Sequence, residues 1–118
     1  MILIEFGGMD VVRWKQSSDA LTIYLSGEID HCAADKLKAE MELLIKKSKD
    51  KALVLDFSDV TFMDSSAVGM IIGRYKTKML LGGRMYADGM HNAVERLYRM
   101  AGLHRIIPIL EKERKAEA

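Results

Sequence analysis

Leu21, Ile23 and Leu25 alternate with Thr22, Tyr24 and Ser26, the two-residue period of a half-buried strand. The polar run Gln16-Ser17-Ser18-Asp19 separates this segment from Val11–Lys15, which predicts a hairpin ended by Gly27. The period then changes. Ala34, Leu37, Met41 and Leu44 form one apolar stripe of a helix from His31 to Lys47, with Asp30 as its N-cap and Lys36, Lys38, Glu40, Glu42 and Lys46 off the stripe. Ala52–Phe57 is nearly continuous apolar sequence, the pattern of a central strand covered on both faces; Ser58-Asp59 breaks it and Val60–Met63 leads onward. A second helix is predicted from Ser65 or Ser66 to Leu81, stopped by Gly82-Gly83. A short strand at Arg84–Ala87, a turn at Asp88-Gly89 and a third helix at Met90–Ala101 follow. Ile106–Leu110 reads as a last strand, which Pro108 assigns to an edge.

Strands alternating with helices predict an α/β fold: a mixed sheet of four to five strands with three to four helices packed on it. The length of 118 residues fits one domain, expected over residues 11–110. Residues 1–10 form an extension that reads as an edge strand, an arm, or a leader to a true start at Met9; residues 111–118 form a charged tail. A net charge of +1 offers no bulk attraction to nucleic acid or to an anionic membrane, so neither is an expected partner. No apolar run is long enough to cross a bilayer. Cys32 is the single cysteine, which excludes a disulfide framework and fits a reducing cytoplasm. His31, His91 and His104 have no metal-ligand spacing, and no histidine is placed by sequence to activate a serine. No metal, cofactor or catalytic residue is expected.

The second helix carries the sharpest local chemistry. Phe62-Met63-Asp64-Ser65-Ser66-Ala67-Val68-Gly69 places a serine hydroxyl at a helix start, where free N–H groups and the positive dipole end tolerate an added phosphate. Ser65 is therefore a candidate phosphorylation site, although Asp-Ser-Ser strings are ordinary N-cap sequences and the string alone favours capping. On a helical wheel Val68, Ile71, Ile72, Tyr75 and Met79 face the sheet, Ser66, Met70, Arg74 and Thr77 lie opposite, and Ser65, Gly69, Gly73 and Lys76 form a flank. Each interior glycine costs about 0.5–1 kcal/mol against alanine. Either close packing within the chain or a smooth surface for a partner would offset that cost, and an outward Met70 favours the partner.

Five strings in order resemble the anti-sigma factor antagonists: Ser26-Gly27-Glu28-Ile29-Asp30-His31, the Asp-Ser-Ser segment, Gly73-Arg74-Tyr75-Lys76, Gly82-Gly83-Arg84-Met85, and Arg96–Leu103 with Ile106-Ile107. The similarity spans Val11 to Leu110, and the Gly-Arg-Tyr-Lys and Gly-Gly-Arg-Met strings point to the sporulation branch of the family. The resemblance implies a STAS fold and a partner-switching cycle. In such a cycle the unmodified protein binds an anti-sigma factor that is also a serine kinase, and the sigma factor is released. The kinase transfers phosphate from its own bound ATP to the first serine, here Ser65, and the product dissociates until a serine phosphatase resets it. The protein is then a ligand and a substrate, not an enzyme. Partner contacts are implied at Glu28, Asp30 and His31, on the loop before the first helix, and at Asp64, Ser66, Ala67, Gly69, Met70, Gly73 and Arg74. Ala67 departs from the family's usual glycine and adds a methyl group where the kinase approaches. Two readings of other classes compete: a scaffold subunit indifferent to the state of Ser65, and a small-molecule module whose Asp64-Ser65-Ser66 turn holds a nucleotide phosphate.

Overall fold

The computed structural model describes residues 4–110. Five strands form one sheet in the order β1 (Glu5–Gly8), β2 (Arg13–Gln16), β3 (Ala20–Ile29), β4 (Ala52–Met63) and β5 (Met85–Asp88). The first two junctions are antiparallel and the last two parallel. Parallel neighbours need crossover connections, supplied by helix α1 (His31–Lys47) between β3 and β4 and helix α2 (Ser65–Leu80) between β4 and β5. Both crossovers step the same way across the sheet, so right-handedness puts α1 and α2 on one face, where they pack against each other and against β3 and β4. Helix α3 (Asn92–Met100) and a single 3-10 turn at Leu103–Arg105 complete the described chain.

Leu21, Ile23, Leu25 and Ile29 of β3 meet Leu53, Leu55, Phe57, Val60 and Met63 of β4 in a core closed by Leu37, Met41 and Ile45 of α1. The α1 stripe and its Asp30 cap agree with the sequence pattern. Tyr98 of α3 is fully buried, packs edge-on against Phe57, and donates its hydroxyl to the Ile107 carbonyl at 2.7 Å. Lys78 of α2 is also buried, and its ammonium donates to the Lys49 carbonyl at 3.1 Å, just past the end of α1.

The strands differ from the sequence expectation in five respects. Gly27 does not end β3, and Ser58-Asp59 does not break β4; both strands run on, because irregular pairing absorbs the misfit. Tyr24 pairs with Asp56 but Ser26 with Asp59, and Gly27 pairs with Val60 but Glu28 with Phe62, so β4 carries an extra residue at each step. Gly27 sits there at φ +75°, a conformation that side chains disfavour. The second strand begins at Arg13 rather than Val11, since the N–H groups of Val11 and Val12 donate to the Glu40 carboxylate of α1 at 3.0 and 3.2 Å. β4 is central but not covered equally on both faces: Leu53 and Leu55 are buried while Val54 between them is half-exposed. The last strand shrinks to a bridge between Ala87 and Ile109. The 3-10 turn consumes the preceding residues, and Pro108, which has no N–H to donate, only accepts from Ala87 at 2.9 Å. The charged tail at residues 111–118 lies outside the described residues.

Candidate functional site

The parallel register brings two helix starts together. Ile29 pairs with Met63 at the ends of β3 and β4, and the Asp64 N–H donates to the Ile29 carbonyl at 3.4 Å. α1 and α2 therefore leave the same sheet edge side by side. Each is capped by an aspartate in extended backbone: Asp30 accepts the Ala33 N–H at 3.0 Å, and Asp64 accepts those of Ser66 and Ala67 at 2.9 and 3.4 Å. The cap of α2 is thus Asp64, which leaves Ser65 as the first helical residue, exposed to solvent. No hydrogen bond among the described residues holds its hydroxyl. Because Asp64 already takes two N–H groups of the first turn, few donors remain there for an external anion, which removes most of the basis for a nucleotide-phosphate cradle at this turn.

The other predicted residues divide into two groups. Glu28, Asp30 and His31 are exposed beside Ser65, but Glu28 belongs to β3 and His31 to α1, so the expected loop reduces to Asp30. Gly69 is exposed and Gly73 half-buried, as a flank requires, while Ser66, expected on the outer side, is half-buried. Four α2 placements are corrected. Ala67 is wholly buried, so its methyl group points into the core and not toward an approaching kinase. Met70 and Arg74, expected on the outer side, are each 6% exposed, whereas Met79, expected against the sheet, is 37% exposed. The helix turns Ala67, Met70, Ile71, Arg74 and Lys78 inward because it packs against α1 as well as the sheet. The long stems of Arg74 and Lys78 serve as apolar surface, which a wheel that counts them as polar misses.

Between α1 and α2 lies a cleft of about 260 Å³, lined by His31, Asp35 and Lys38 on one wall and by Gly69, Gly73 and Arg74 on the other, with Ala34, Ser66 and Met70 completing it. A Cβ added at Gly69 or Gly73 would meet nothing within 4 Å, so intrachain packing would admit alanine at either position. Arg74 Nε lies 2.7 Å from Glu42 Oε1 of α1, and Thr77 donates to the same carboxylate at 3.0 Å. Arg74 Nη1 is buried without a hydrogen-bond partner among the described residues. Sequence reasoning missed Asp35, Lys38 and Glu42, which become neighbours of α2 only through the helix pairing. It also missed Phe62 as a surface group; this residue is 49% exposed at the end of β4, next to the Ser65 turn, and no sequence signal separates it from a core phenylalanine.

A mixed sheet with two helices started side by side at its parallel edge, and an exposed serine at one of those starts, defines a known class. The chain belongs to the STAS domain family, whose profile matches residues 12–116. Within it, the chain is 38% identical over 102 residues to the anti-sigma F factor antagonist of Paenibacillus polymyxa, covering 86% of this chain and 87% of that protein. It is 30% identical over 98 residues to the anti-sigma-B factor antagonist of Bacillus subtilis, covering 83% and 88%. Its fold is similar to that of the anti-sigma factor antagonist SpoIIAA in its unphosphorylated form (TM-score 0.63, 20% identity, 97% and 94% covered). The phosphorylated form of Bacillus SpoIIAA matches comparably (TM-score 0.61, 21% identity, 98% and 97% covered). Among the described residues, no helix is long and apolar enough to cross a membrane.

Proposed function

We propose that this protein is an anti-sigma factor antagonist of the partner-switching kind, acting in the cytoplasm. Unmodified, it docks on an anti-sigma factor with serine kinase activity through the surface around the paired helix starts, and the sigma factor is freed. The kinase phosphorylates Ser65 with phosphate from its own ATP, docking fails, and a serine phosphatase restores the bare hydroxyl. The observation that carries this reading is the Ser65 hydroxyl, solvent-facing and unbonded, beside two aspartate caps. The names of the relatives supply the anti-sigma partner, and SpoIIAA is one that exists in phosphorylated form.

The geometry accounts for both halves of the switch. An exposed first-turn residue takes phosphate without disturbing the core, so the fold survives modification. Phosphate adds about 1.5–2 negative charges. Asp64, Asp30 and Glu28 already make this edge acidic, and a partner surface fitted to a hydroxyl would have to bury the dianion among them. A loss of about 1.4 kcal/mol suffices for each tenfold drop in affinity.

The test is to incubate the protein with ATP and the anti-sigma kinase of the same genome, map the modified residue by mass spectrometry, and measure binding of Ser65→Ala and Ser65→Asp. Phosphate on Ser65, and Ser65→Asp binding at least about tenfold more weakly than Ser65→Ala, is expected. Equal affinities would remove the charge mechanism, and phosphate elsewhere would remove the site.

A further inference from the structure

We propose that the cleft between α1 and α2 receives an acidic side chain, aspartate or glutamate, from the docking partner, with Arg74 as its counter-charge. This rests on the docking function proposed above and names the chemistry by which the partner is held. Arg74 is only 6% exposed, and although its Nε lies 2.7 Å from Glu42 Oε1, neither Nε nor Nη1 has a hydrogen-bond acceptor among the described residues. A buried donor without an acceptor carries a desolvation cost that an incoming carboxylate removes, and a guanidinium matches a carboxylate fork to fork. Lys38 on the opposite wall adds a second cation, set against Asp35 in the lining and Glu42 behind Arg74. Gly69 and Gly73, one helical turn apart with open space above both, allow a partner backbone to come close enough for a short side chain to enter.

The protein's own phosphate is a poor occupant. Ser65 is nine residues before Arg74, roughly 13 Å along the helix axis. The Arg74 end of the cleft and the phosphorylation site are thus opposite ends of one surface: one holds the partner, and the other decides whether it can approach.

The test measures binding of the full chain to the anti-sigma kinase of the same genome, in wild-type, Arg74→Gln and Gly73→Leu forms, with thermal melts of each. Gly73→Leu keeps Arg74 and fills the cleft from a position where an added Cβ meets nothing within 4 Å, and its melt checks that it folds. Each variant is expected to lose about 10- to 100-fold in affinity. Alanine substitution of the kinase's exposed acids is expected to find one whose loss costs nothing further in Arg74→Gln, the signature of a direct pair in a double-mutant cycle. Wild-type binding with both variants unaffected, or with no kinase acid coupled to Arg74, overturns the inference and leaves the proposed function standing. Failure of the wild type to bind overturns both.

Discussion

Ser65 and Asp64 divide work that the sequence offers to either. The aspartate satisfies the helix start, so the serine hydroxyl is left for chemistry. Asp64→Ala is expected to cost about 1 kcal/mol and lower the melting temperature by roughly 4 °C, because two first-turn N–H groups lose their acceptor. A thermal melt that does not move would deny Asp64 its capping role. Ser65→Ala should melt like the wild type, since that hydroxyl supports nothing in the fold. Tyr98 shows the opposite behaviour for a hydroxyl. Its bond to Ile107 is buried, and Tyr98→Phe is expected to cost about 1–3 kcal/mol by leaving that carbonyl unpaired; urea denaturation measures it.

Helix α2 is built against its own stability. Gly69 and Gly73 weaken it, and the surrounding structure needs neither. Replacing both with alanine should therefore stabilise the protein by about 1–2 kcal/mol in chemical denaturation, while weakening its grip on the anti-sigma kinase. A double variant that is both more stable and equally good at binding would show that the bare flank serves no partner. α1 contributes through its pairing with α2: Glu42 forms an ion pair with Arg74 and accepts from Thr77, and Lys38 and Asp35 form the far wall of the cleft. The docking surface is a property of two helices and cannot be assigned to either alone.

Two buried ionisable groups, Tyr98 and Lys78, shape the stability of the whole molecule at alkaline pH. Burial raises the Tyr98 phenol above its ordinary 10.0, so the folded state keeps a proton that the unfolded chain gives up. Its contribution is complete below that pH and is lost as pH rises beyond it. Burial lowers Lys78 below its ordinary 10.5, against a smaller opposing effect of Asp50. Between its lowered value and 10.5 the unfolded chain binds more protons, so this group makes stability rise with pH. Denaturation from pH 8 to 11 should give opposite changes in the variants: Tyr98→Phe loses the falling limb, and Lys78→Met loses the rising one. Variants that keep the wild-type profile would assign the alkaline behaviour to other groups.

Local periodicity was enough for the element order from β2 to α3 and for α1, whose apolar stripe and aspartate cap are written within one helix. The exposed serine at a helix start was legible for the same reason, because capping involves neighbours in sequence. The run of β3 past Gly27 and of β4 past Ser58-Asp59 was not legible, since irregular pairing is decided by the strand alongside. Nor was the inward face of α2. A single helix's pattern cannot reveal that a second helix will cover Arg74 and Lys78, and only the right-handed crossovers that lay α1 beside α2 turn those cations inward and open a cleft between them.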